Sequence, residues 1–92
     1  MSSFSGKSVL VLGGSRGIGA AIVSRFASNG AKVVFTYLSS PEAAHALAAE
    51  TGSEAVRVDS GDRDALIALI SSLDPLDVLV VNSGILGAGD PL

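Results

Sequence analysis

Short, nearly unbroken apolar runs recur along this chain, and the stretches between them carry their apolar residues at a helical spacing. The first run, Lys7–Leu12, predicts a strand. From Gly17 to Asn29, Ile18, Ile22 and Phe26 fall at successive i, i+4 positions, which predicts a helix with Gly30 as its C-terminal cap. Lys32–Tyr37, β-branched and aromatic, predicts a second strand, followed by the polar turn Ser39-Ser40-Pro41. Pro41 suits the first position of a second helix, running through Ala43, Ala44, Leu47 and Ala48 to a stop at Gly52. Glu54–Val58 predicts a third strand. Asp62–Leu73 predicts a third helix, with Leu66, Leu69, Ile70 and Leu73 on one face and Pro75 closing it. Asp77–Val81 is nearly all Val and Leu, the composition of a parallel strand covered on both faces. Gly84 to Leu92 is glycine-rich and has no regular period.

Strands alternating with helices predict an α/β fold with a parallel sheet, and right-handed crossovers favour the doubly wound order 3-2-1-4. The carboxyl ends of strands one and four then flank the crevice where such sheets bind ligands. The first two crossovers put their helices on one face of the sheet. The third crossover uses the opposite face, which is left about half covered, and strand four becomes an edge open to association.

Composition sharpens this expectation. Of 92 residues, 48% are hydrophobic, and mean hydropathy is +0.54. A chain of this length buries only about 60–65% of the surface its unfolded form exposes. The apolar excess therefore implies further structure to cover it. There are no cysteines, which removes disulfides and thiolate metal sites and makes a reducing cytoplasm the expected setting. The N-terminus lacks the pattern of a signal peptide, and no apolar run could span a bilayer, so no membrane is expected as a partner. The net charge of −3 and the lack of a basic cluster argue against polymeric nucleic acid. With one histidine, His45, read as a surface residue on the second helix, a transition-metal site is not expected.

The candidate chemistry sits after strand one. Val9 to Gly19 reads Val-Leu-Val-Leu-Gly-Gly-Ser-Arg-Gly-Ile-Gly: an apolar run breaks into four close glycines before an alanine-rich helix. A strand, tight turn and helix start aim backbone N–H groups and the positive end of a helix dipole at one point, which suits a phosphate. At the end of strand two, an NAD site uses an acid for the ribose hydroxyls, whereas a 2′-phosphate needs a cation and hydroxyl donors. Tyr37 occupies that position, Arg16 lies in the loop, and Ser15, Ser39 and Ser40 can donate nearby. A guanidinium fork suits phosphate. NADP(H) is the expected cofactor.

The spacing Gly13-x-x-x-Gly17-x-Gly19 resembles the loop of the short-chain dehydrogenase/reductase superfamily. The resemblance extends to Asp59 after strand three, and to Asn82 and Gly84 in the run Asp77-Val-Leu-Val-Val-Asn-Ser-Gly84 after strand four. Val81 and Ser83 replace an Asn and an Ala of that signature, and Leu12 stands where a Thr is usual. The resemblance implies the N-terminal half of a Rossmann-type fold over residues 1–92. It implies cofactor contacts from Gly13, Ser15, Arg16, Gly17, Ile18 and Gly19, from Asp59 and Ser60, and from Asn82, Ser83 and Gly84, beside the Tyr37, Ser39 and Ser40 corner. It further implies hydride transfer between NADPH and a small carbonyl or alcohol substrate, and a homo-oligomer for the complete protein.

In that superfamily a Ser, a Tyr and a Lys four residues after the Tyr activate the substrate, all beyond the fourth strand. Here the only tyrosine, Tyr37, is followed four residues on by Pro41, so the catalytic set is expected outside this chain. The run Leu12 to Val23, with Phe35-Thr-Tyr, Glu50-Thr-Gly and Asp62-Arg-Asp-Ala, looks similar to a bacterial subgroup of cyclic-di-GMP-binding biofilm-dispersal mediators. That likeness implies a cyclic dinucleotide as an alternative ligand.

Overall fold

The structure is a computed structural model that describes residues 4–14, 17–59, 61–73 and 75–82. Its elements are β1 (Ser8–Leu12), α1 (Gly17–Ser28), β2 (Lys32–Tyr37), α2 (Pro41–Thr51), β3 (Glu54–Arg57), α3 (Arg63–Ser72) and β4 (Val78–Val81). The strands form one parallel sheet in the order β3-β2-β1-β4. Both the order and the element sequence match the pattern of apolar positions.

The helix ends follow local chemistry. After α1, Gly30 adopts φ 88°. Its N–H donates to the Ala27 carbonyl at 3.1 Å, and the Ala31 N–H reaches the Phe26 carbonyl at 3.2 Å. This pair of bonds satisfies carbonyls the helix leaves open. Gly52 closes α2 the same way, at φ 72° with its N–H on the Ala48 carbonyl. Asp62 caps α3, its Oδ1 accepting from the Ala65 N–H at 3.1 Å. Three strands are one residue shorter than their apolar runs suggest, β1 beginning at Ser8 and leaving Lys7 outside. Asp77 lies just outside β4, where its Oδ2 accepts the Ser8 N–H at 2.8 Å. Val58 lies just beyond β3 and donates to the Tyr37 carbonyl at 2.9 Å.

Parallel register fixes which residues share a face. Val9 and Val11 pair with Val33 and Phe35 on one side and with Val78 and Val80 on the other. They form the core with Val23 of α1 and with Ala44 and Leu47 of α2. The opposite face carries Leu10 and Leu12, both buried, but in β4 their partners Leu79 and Val81 are 45% and 57% exposed. Helix α3 has no buried residue, and its Leu66, Leu69, Ile70 and Leu73 face is only half-buried. At the amino-terminal end of the sheet, a cavity of about 390 Å³ separates Leu73 and Leu76 from the strand starts at Ser8, Lys32 and Glu54. Among the described residues, β4 is an edge and one sheet face is incompletely covered. Its Val- and Leu-rich run is thus covered on one side only. No helix among the described residues is long and apolar enough to cross a membrane.

Candidate functional site

The site lies at the carboxyl ends of the strands, where four chain segments leave the sheet together. After β1 the chain turns at Gly13, whose φ of 83° lies where only glycine is unstrained. The Gly13 N–H donates to Thr36 Oγ1 at 2.9 Å, and the Gly14 N–H donates to the Thr36 carbonyl at 3.0 Å. Thr36, 2% exposed, therefore holds the turn from β2. It supplies a hydroxyl beside the junction where Leu12 offers none.

Close packing dictates glycine at positions 14 and 19. A Cβ on Gly14 would stand 2.7 Å from Phe35 Cβ and 2.8 Å from Val23 Cγ2. A Cβ on Gly19 would meet the Gly13 carbonyl oxygen at 2.2 Å and Asn82 Nδ2 at 2.7 Å. These contacts let α1 start directly over the turn. Asn82 locks the junction from the far side, its N–H donating to the Leu12 carbonyl at 2.9 Å and its Nδ2 to the Gly13 carbonyl at 3.3 Å.

The donors of Gly13 and Gly14 are thus spent inside the fold. Among the described residues of this turn, the groups able to meet an anion are the N–H groups of Gly17, Ile18 and Gly19, which the first turn of a helix leaves without intrahelical acceptors. Gly17, at φ 60°, has open space where a side chain would stand. The Ile18 side chain beside it is 73% exposed.

At the end of β2, Tyr37 is 8% exposed and belongs to the core. Its hydroxyl lies 3.4 Å from His45 Nε2, with the two rings edge-to-face at 5.9 Å. His45 is exposed on α2 as expected of a surface histidine, yet it has a specific neighbour. Ser39 is exposed, and Ser40 precedes Pro41 at φ 60°, ψ 56° with its side chain making no capping bond. After β3, Asp59 Oδ1 accepts the Gly61 N–H at 2.8 Å, while the Asp59 carbonyl accepts the Asp62 N–H at 2.8 Å. Its carboxylate therefore shapes the turn into α3.

The structure brings Gly13, Gly17, Ile18, Gly19 and Asn82 together at the β1–β4 junction, with Tyr37, Ser39 and Ser40 at the end of β2 and Asp59 beyond β3. Ser15, Arg16, Ser60, Ser83 and Gly84 lie outside the described residues. Two contributors went unnoticed in the sequence. Thr36 is signalled by a hydroxyl in an otherwise apolar strand. Arg57 ends β3, and its Nε–H donates to the Leu38 carbonyl at 3.2 Å.

Comparison with known proteins bears on this site. A short chain dehydrogenase family model matches residues 7–91. The cyclic-di-GMP-binding biofilm dispersal mediator protein of Escherichia coli (strain K12) is 58% identical over 92 residues, covering 100% of this chain and 39% of the relative. A solved structure described as BdcA in complex with NADPH superposes with a TM-score of 0.86 at 61% identity, covering 89% of this chain and 34% of that one. The acetoacetyl-CoA reductase of Shinella zoogloeoides is 41% identical over 80 residues, or 83% of this chain and 33% of the reductase. The chain thus spans about two-fifths or less of the length of these relatives.

Proposed function

We propose that this chain, which belongs to the short chain dehydrogenase family, is the NADP(H)-binding front half of one Rossmann-type domain in an oxidoreductase. The complete protein would move hydride between NADP(H) and a carbonyl or alcohol substrate. The observation that carries this reading is the first turn of α1. Its Gly17, Ile18 and Gly19 N–H groups have no intrahelical acceptors, with Gly17 and Ile18 exposed, while the glycines before them are locked by Thr36 and Asn82.

The residues fit a dinucleotide. The α1 N-terminus would hold its pyrophosphate, and Gly17 leaves room for a close approach. Asn82 fixes the end of β4 against the turn, so the crevice walls keep their spacing. At the ribose corner, the uncharged Tyr37 removes the carboxylate that would repel a 2′-phosphate; Ser39 and Ser40 would supply hydroxyls, and Arg16 of the glycine loop is the cation the sequence offers. The bound nicotinamide would supply the hydride. No Tyr-x-x-x-Lys exists in this sequence, so proton transfer to the substrate belongs to other residues of the complete protein. The NADPH complex of the BdcA relative supports the cofactor, and the named reductase supports the reaction class.

Titrating NADPH and NADH against the complete protein and its Arg16→Ala variant tests the reading. NADPH should bind more tightly, and the variant should lose about 1.5–3 kcal/mol, roughly ten- to a hundredfold, on NADPH alone. Equal affinities in the wild type would overturn it. The isolated 92-residue chain should show no hydride transfer from NADPH to any carbonyl compound.

The name of the 58%-identical relative supports a second reading, a protein that sequesters cyclic-di-GMP. The same α1 N-terminus would take a phosphodiester. Competition separates the two: displacement of NADPH by cyclic-di-GMP at comparable concentration favours sequestration, and indifference removes it.

A further inference from the structure

We propose that Arg57 is a determinant of cofactor choice, its guanidinium held on the Leu38 carbonyl so that its remaining N–H groups face the 2′-phosphate of an adenine dinucleotide. The inference rests on the NADP(H) reading above. Arg57 is the last residue of β3 and pairs in register with Tyr37, the last residue of β2. The two strands therefore end side by side at the corner where nucleotide-binding sheets separate a ribose 2′-hydroxyl from a 2′-phosphate.

The side chain is exposed, but it is not loose. Its Nε–H donates to the Leu38 carbonyl at 3.2 Å, across the strand gap and one residue past Tyr37. One of five guanidinium donors is spent on that bond, leaving both Nη groups for two phosphate oxygens. A planar group with one edge fixed loses less freedom when the other edge binds, which a lysine could not reproduce. The neighbours agree with this assignment. Tyr37 turns under α2 toward His45, so position 37 sets no carboxylate beside the guanidinium. Ser39 is exposed, and the Ser40 side chain makes no capping bond. The competing role for Arg57 is a strap that merely ties the segment after β2 to β3.

The test uses the complete protein with Arg57→Met and Arg57→Gln, the latter keeping a donor for the Leu38 carbonyl while removing the charge. Calorimetric titration with 2′,5′-ADP and 5′-AMP reads binding, and NADPH against NADH kinetics reads use. Both variants should bind 2′,5′-ADP roughly tenfold or more weakly, with 5′-AMP unchanged. If Gln restores wild-type affinity for 2′,5′-ADP, or if both ligands weaken together, Arg57 is a strap or an adenine contact and the proposal fails. Unchanged binding of both ligands also overturns it. A wild type that does not distinguish 2′,5′-ADP from 5′-AMP overturns instead the NADP(H) reading on which the proposal stands.

Discussion

Val80 and Leu79 are chain neighbours in β4, yet they meet different surroundings. Val80 packs against the core under α1 and α2, whereas Leu79 on the opposite face is 45% exposed. The same contrast runs across the sheet. One face is sealed by two helices around Phe35, Val23 and Leu47, and the other carries only the half-buried α3 and ends in open apolar positions. Apolar character alone does not bury a residue; an element must arrive to cover it. The glycine turn after β1 belongs to this contrast. That turn rests on the sealed face, through Gly14 against Phe35 and Val23.

The two faces should respond differently to substitution. Phe35→Ala removes a fully buried ring and should cost about 3–5 kcal/mol, read by urea or thermal unfolding. A cost near that of a surface change would show that the α1–α2 face is not the stabilising core. Thr36→Val comes next. It leaves the Gly13 N–H without its acceptor and should cost about 1–3 kcal/mol, with NADPH affinity falling in step because the turn beneath α1 loosens. Unchanged stability and affinity would remove Thr36 from its supporting role.

Smallest in stability is the open face. Val81→Ser and Leu79→Ser in the isolated chain should change stability by only about 0.5 kcal/mol or less. Their effect should appear in sedimentation instead. The wild-type chain is expected to self-associate through the β4 edge and the uncovered face, and the double variant to do so less. A wild-type chain that stays monomeric and melts cooperatively would contradict the contrast between the two faces.

Much of this was legible in the sequence because the signals are local. Short apolar runs and period-3.6 patterns marked the elements, Gly30 and Gly52 marked helix ends, and Asp62 marked the start of α3, each acting within a few residues of itself. Chain handedness then favoured the order 3-2-1-4 for this alternation, and the glycine spacing after β1 marked the tight turn into α1. What the tertiary structure alone decided depends on residues far apart in the chain. Thr36 meets Gly13 across 23 positions and Asn82 meets it across 69, so the spent donors of the turn have no local signature. Tyr37 meets His45 because α2 packs over the end of β2, and Arg57 reaches Leu38 because strand register sets it beside Tyr37. A one-dimensional pattern states which residues prefer burial or phosphate. Which partner each one meets is set by the packing of strands and helices in space.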